Sequence, residues 1–205
     1  MIKRQLRTII ICTVVFVVGV IAYFAVVKPL IASLIKDDEV PELLDGEVLG
    51  TNNRILMMEH LEKADMQSIE VHNSFGTYTM YRGDDEEFYI KGHEGAPYSL
   101  EALSSLVVSS GYTLSIERVG YNLTDEEMSA YGLGPNDDPA WYKITKRDGS
   151  THTVLIGDKI PTGGGYYAAY KGRNAVYVLD TSVSKTILAD VTALITPILS
   201  YPLST

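Results

Sequence analysis

The sequence predicts an α+β protein: mostly antiparallel β meanders with a few packed helices, preceded by one N-terminal transmembrane helix. Three observations predict it. From residue 68 onward, short runs alternate apolar and polar side chains, as in Ile69-Glu70-Val71-His72, and turn signals such as Asp148-Gly149 separate them. Leu100, Leu103, Leu106 and Val107 fall at helical spacing behind a capping residue, Ser99. Ile9 to Val27 is a run of 19 residues without a charge.

As a helix that run would span about 28 Å, close to the ~30 Å hydrocarbon thickness of a bilayer. Only a helix satisfies its backbone polar groups in lipid. Lys3, Arg4 and Arg7 precede it; Lys28 and Lys36 follow, then Asp37, Asp38 and Glu39. The positive-inside rule therefore puts residues 1–8 in the cytoplasm and the body outside the cell membrane. A cleaved signal peptide is the competing reading, but the run exceeds a usual apolar core and Tyr23-Phe24-Ala25-Val26-Val27 has no A-x-A pattern. Cys12, the sole cysteine, follows Ile9-Ile10-Ile11 inside the run and reads as a small apolar thiol. Past Lys28-Pro29, Leu30, Ile31, Leu34 and Ile35 share a helical face. They form either an extension of the anchor to residue 35 or an interfacial helix.

Charge divides the chain in the same place. Residues 1–36 hold no acid, whereas residues 37–205 hold all 26 acids against 12 bases, a net of −14. A body this acidic is not built for nucleic acid or for an anionic lipid surface. It holds no cysteine, so disulfides and thiolate metal sites are excluded there. About 150 residues suffice to bury a core without such staples.

Residues 36–53, acidic and punctuated by Pro41, Gly46 and Gly50, read as a stalk with one short ordered piece. The extracytoplasmic domain is expected over 54–194, with 195–205 as a tail. Residues 54–66 are ambiguous: Glu59 to Ala64 favour a helix, while Arg54-Ile55-Leu56-Met57-Met58 suits a strand. Strands follow at 68–72, 77–81 and 87–91, joined by turns at Asn73-Ser74-Phe75-Gly76 and Arg82-Gly83-Asp84-Asp85. A helix over about 100–110 buries Leu100, Leu103, Leu106 and Val107, with Gly111 as its stop. Thr113 to Val119 is a strand. Thr124 and Glu127 make a capping box for a short helix to Tyr131, stopped by Gly132. Four strands come next, at 140–146, 151–156, 166–171 and 175–179, with hairpins at Asp148-Gly149 and Lys171-Gly172-Arg173-Asn174. A last helix is expected over about 182–194, ending before Pro197.

This order of motifs has a likeness. Leu123-Thr124, Tyr131-Gly132-Leu133, Pro135, a strand, Asp148-Gly149, Leu155-Ile156-Gly157-Asp158, Tyr166-Tyr167-Ala168 and Ala175-Val176-Tyr177-Val178 together resemble the bacterial domain-of-unknown-function family numbered 4340. Upstream, Ile69-Glu70-Val71, Glu87-Phe88, Leu103 and Leu106 fit its first half, so the resemblance covers roughly 55–190. It implies a membrane-anchored extracytoplasmic bacterial protein with a mostly antiparallel α+β domain. Some relatives are similar to auxiliary proteins encoded beside gliding-type ABC exporters. No catalytic residues are established for the family, so none is carried over. Many relatives are longer, with repeated domains, and this chain holds one copy.

Residue constellations give no coherent catalytic set. His60, His72, His93 and His152 stand at no metal-site spacing, and no cofactor motif is present. Asp84-Asp85-Glu86-Glu87 and Asn136-Asp137-Asp138 are consecutive acids without the alternation of a calcium loop, and read as charged turns. Pro161-Thr162-Gly163-Gly164-Gly165 lacks the Gly-Lys-Ser/Thr and following helix of a phosphate loop. Ser182-Val183-Ser184-Lys185 matches S-x-x-K, yet its S-D-N and K-T-G partners are missing, so Thr181 or Ser182 reads as a helix cap. Tyrosines number 14. Tyr166 and Tyr170 share one strand face with Ala168, and are the candidate binding residues for a glycan or peptide; the sole tryptophan, Trp141, and the remaining tyrosines edge a core. Asn122-Leu123-Thr124 is a sequon only for a eukaryotic secretory pathway.

The expectation is a single-pass, membrane-anchored extracytoplasmic module that binds or scaffolds without catalysis. Its partners are the membrane through residues 9–27 and subunits of an ABC-type exporter. The alternatives are an envelope glycan or peptide binder and a serine-type envelope hydrolase using Ser182 and Lys185.

Overall fold

A computed structural model describes residues 42–112 and 115–195. The expected span at Ile9–Val27, its extension to residue 35 and the tail beyond Ile195 lie outside the described residues. No helix among the described residues is long and apolar enough to cross a membrane.

The body is an eight-stranded antiparallel sheet with irregular chain and one long helix on one face. Strands β3 (Met66–Asn73), β4 (Gly76–Arg82) and β5 (Phe88–Ile90) form one meander. Strands β7 (Ala140–Lys146), β8 (Thr151–Lys159), β9 (Tyr166–Tyr170) and β10 (Ala175–Leu179) form a second. Pairing of β3 with β7 joins them, and β6 (Ser115–Tyr121) closes the far edge, giving the order β5-β4-β3-β7-β8-β9-β10-β6. The register puts Ile69 opposite Met80 and Ile144, and Val71 opposite Tyr78 and Tyr142. That face is the main core, because alternation sends Ile69, Val71, Tyr142, Ile144, Val154 and Ile156 to one side, each almost wholly buried. Each such aliphatic side chain contributes roughly 1.5–3 kcal/mol.

Helix α1 (Leu100–Tyr112) lies on this core, with Ala102 N–H donating to Ser99 Oγ at 3.3 Å and Leu103, Leu106 and Val107 buried. Leu100, expected on the buried face, is 78% exposed. As the first helical residue it precedes the turn that meets the sheet. Gly111 does not end the helix; it lies in the last turn, where a Cβ would stand 2.5 Å from Leu61 O. The second core is smaller. It covers part of the opposite sheet face, where Met128 and Leu133 pack on Ala169 and Val176. Met128 comes from α2 (Asp125–Ser129), which starts at the expected capping box: Glu127 N–H donates to Thr124 Oγ1, and Thr124 N–H to Glu127 Oε2 at 2.8 Å. It ends two residues short of Tyr131.

Three segments that the sequence left open or misread are settled by the structure. In residues 54–66 the strand alternative holds at β2 (Ile55–Leu56), while Glu59–Ala64 forms no α-helix and only a 3-10 turn follows at Lys63–Asp65; Leu61 is buried and its N–H donates to Gly111 O at 3.1 Å. Within the acidic stretch before them, β1 (Val48–Leu49) pairs with β2, and the compact unit begins at Leu43. The helix expected over 182–194 is two 3-10 turns, Thr181–Lys185 and Val191–Leu194, capped by Asp180 and Asp190 and not by Thr181 or Ser182. Asn73 explains the break: its side-chain amide donates to Ile187 O at 2.8 Å and Ala189 O at 2.9 Å, taking carbonyls that a helix would use internally.

Candidate functional site

The two glycine-bearing signatures, Tyr131-Gly132-Leu133 and Ile156-Gly157-Asp158, meet in space. Asp158 N–H donates to Tyr131 O at 2.9 Å. A Cβ on Gly157 would lie 2.2 Å from that same oxygen, so only glycine lets the two backbones close. Gly132, at φ +69°, turns the chain out of α2, and Gly134 N–H donates to Asp137 Oδ2 at 2.6 Å. This clasp builds one wall of an open groove of about 660 Å³ at the ends of β3, β7 and β8.

Asp137, Asp138 and Asp158 bring three carboxylates to the groove, with Ser129 and Ser74 adding hydroxyls and His72 an imidazole. Among the described residues, no lysine or arginine lines it. The imidazole is oriented: His72 Nδ1 shares a 2.7 Å hydrogen bond with Thr77 Oγ1, and its ring stacks on Trp141 at 5.5 Å and 17°. Asn73, buried, ties the groove floor to the 187–189 segment as described above. The groove thus presents acceptor oxygens beside an aromatic pair, groups that can accept from hydrogen-bond donors. No group of three or more His, Cys, Asp or Glu among the described residues is placed to hold a metal ion.

Tyr166 and Tyr170, the residues singled out from the sequence, share a face as expected and both pack half-buried against the main core. Tyr170 hydroxyl meets His152 Nδ1 at 3.1 Å, and the Arg173 guanidinium lies 4.8 Å from its ring centroid. Tyr170 lines a cleft of about 280 Å³ with His152 and Arg173 that does not include Tyr166. Tyr167 points to the opposite face and meets Tyr131 edge-on at 4.8 Å. Ser182 Oγ is buried with no hydrogen-bond partner, and Lys185 is exposed. Both residues line one open cleft of about 580 Å³ with Ser105 and Val108 of α1. The glycine run at 163–165 is a β8–β9 hairpin loop, with Gly163 N–H donating to Ile160 O at 2.8 Å.

Sequence reasoning placed Asp137 and Asp138 in a surface turn and did not connect them with His72 or Asp158. The signal was present in the order of the glycine signatures, but nothing along the chain says that they touch.

The family model described as Domain of unknown function (DUF4340) matches residues 89–199, just over half of the chain. The match opens at β5, later than the resemblance read from the motifs, and includes every groove residue from α2 to Asp158. No curated protein and no solved structure matches the chain. The chain therefore belongs to the DUF4340 family.

Proposed function

We propose that this protein is a single-pass, extracytoplasmic module that binds a partner at the outer face of the membrane, as an accessory to an ABC-type exporter. The observation that supports binding best is the open, polar groove built where the two glycine signatures interlock, lined by three carboxylates and a positioned imidazole. Anchoring rests on the 19-residue uncharged run and its basic flank. The exporter link rests on the resemblance of some relatives to exporter auxiliary proteins. The groove has the openness that a protruding peptide segment or chain end needs.

The test is site-specific photo-crosslinking in native membranes. A photoreactive residue replaces Ser74, exposed on the groove rim, and the adducts are identified by mass spectrometry. Recovery of a transporter permease supports the accessory reading. Adducts with wall glycan and no protein would replace it with an envelope-polymer binder, which Trp141 beside the groove would serve. For topology, a Phe75→Cys variant on a Cys12→Ser background is labelled in intact cells by a membrane-impermeant maleimide. Labelling only after lysis overturns the extracytoplasmic placement.

A further inference from the structure

The edge hairpin β4–β5 holds a second cleft, unconnected with the groove. Tyr81 and Tyr89 are direct cross-strand partners, and their rings lie 6.2 Å apart at 39°. Both point to the face away from the core, since their neighbours Met80, Phe88 and Ile90 are the buried ones. With Asp84, Asp85 and Glu94 they line an open cleft of about 480 Å³. Each phenol is tied to a carboxylate: Tyr89 hydroxyl donates to Asp85 Oδ2 at 2.5 Å and Tyr81 hydroxyl to Glu94 Oε1 at 3.4 Å. The phenol donors are thus already used, and what the cleft offers a ligand is ring faces and acceptor oxygens.

Charge decides what such a cleft takes. Arg82 is the one lysine or arginine that borders it among the described residues, and its guanidinium is committed elsewhere. Its Nε donates to Met66 O at 2.9 Å, its Nη1 to Glu86 O at 2.9 Å and its Nη2 to Lys63 O, while its plane covers Phe88 at 4.5 Å. Its side chain is only 6% exposed. Among the described residues, none of Asp84, Asp85 and Glu94 has an ion pair with a lysine or arginine. Two tyrosine faces beside unneutralised carboxylates form the elements of an aromatic cage for a cation. A neutral sugar would gain stacking there and nothing from the charge.

We infer that the Tyr81–Tyr89 cleft binds a lysine or arginine side chain of a partner polypeptide. This deepens the binding-module reading and rests on it. The site differs from the groove, so the two fail separately: loss of groove crosslinks leaves the cleft untouched, and the reverse holds.

The experiment titrates a fluorescent tetralysine peptide against the full-length protein in detergent micelles. The variants are Tyr81→Leu, Tyr89→Leu and Glu94→Gln, with Asp125→Asn/Glu126→Gln as a control for diffuse negative charge. Thermal unfolding of each variant verifies that the fold is kept; if Tyr89→Leu does not fold, Tyr81→Leu and Glu94→Gln carry the test, and Tyr89→Phe, which retains the ring face, is expected to bind as the parent does. The expected result is saturable binding that weakens about three- to tenfold in each cleft variant and stays unchanged in the control. Tyr81→Leu then loses affinity although no charge has changed. Equal weakening in the control, or binding indifferent to Tyr81→Leu and Glu94→Gln, overturns the inference. So does saturable binding of a neutral chitooligosaccharide at the cleft with no binding of the peptide.

Discussion

Glu47 and Arg118, 71 residues apart in sequence, form a 2.7 Å ion pair in which the carboxylate side chain is 0% exposed and the arginine side chain 8%. Glu47 Oε1 also accepts from Tyr177 hydroxyl at 2.6 Å, and Oε2 from Leu44 N–H at 2.7 Å. Tyr177 hydroxyl is in turn met by Arg173 Nη1 at 2.9 Å, and burial together with the Glu47 acceptor pushes its ionisation well above the usual phenol range. One carboxylate from the acidic stretch thus fastens the entry of the chain to β6 and β10.

Removing that carboxylate exposes what the fastening contributes. Glu47→Ala takes the counter-charge from beside a nearly buried guanidinium and the acceptor from Tyr177, at a cost of about 3 kcal/mol. A fragment starting at Leu43 is therefore expected to unfold at higher urea than one starting at Arg54, and Glu47→Ala in the longer fragment is expected to close most of that gap. Equal midpoints for the two fragments would show that the segment before Arg54 adds nothing to stability.

The glycine clasp makes a sharper case. At Gly157 a Cβ meets backbone, Tyr131 O at 2.2 Å, and Leu133 Cγ at 2.8 Å, neither of which is a flexible chain end. Gly157→Ala is expected to destabilise by about 1–3 kcal/mol and to loosen the groove wall with it. Gly95→Ala is the matched control: nothing lies within 4 Å and the backbone is not left-handed. Hydrogen–deuterium exchange is expected to rise at the amide of Asp158 in the first variant only, since that amide donates across the clasp.

Helix α1 provides a pair of leucines with opposite fates. Leu103 is 6% exposed and Leu100 is 78% exposed, although both fit the same apolar stripe on paper. Leu103→Ala is expected to cost about 2–5 kcal/mol, and Leu100→Ser to stay within about 0.5 kcal/mol of the parent. Chemical denaturation of the two variants side by side measures the difference, and equal losses would place Leu100 in the core.

Strand alternation and turn chemistry are local, which is why β7 and β10, the Asp148-Gly149 hairpin and the Thr124–Glu127 capping box could be read from the chain. The misread parts are those in which a distant residue decides. Asn73 takes the carbonyls of Ile187 and Ala189 across more than a hundred residues, and no pattern between 182 and 194 announces it. Leu61 is drawn to Gly111 in the same way, in a stretch whose sequence suits helix and strand alike. The groove was illegible for a related reason: Asp137, Asp158 and His72 come from three elements, and only the pairing of β3 with β7 and β7 with β8 brings them together. The Tyr81–Tyr89 pair depends on register, which a single-residue slip would have turned into the core.

His152 gives the fold a pH dependence whose sign can be worked out. Burial, and secondarily the positive charge of Lys146, hold its ionisation below the ordinary histidine value of 6.5, with Glu59 and Asp148 opposing. Below that value the unfolded chain binds a proton that the folded chain does not, so stability is complete above about pH 6.5 and declines as pH falls toward the folded-state value. The carboxylates act in a lower window. Asp148, held down by Ser150, and Glu127, held down by the amide and hydroxyl of Thr124, add stability above their ordinary values of 3.8 and 4.5 and lose it as pH falls further. Urea midpoints measured from about pH 7 down to about pH 5 are therefore expected to decline in the parent and to flatten in His152→Gln, with the later acid loss unchanged. An NMR titration of the His152 imidazole in the folded protein reads the same shift directly. A midpoint at or above 6.5 would remove His152 as the source of the slope.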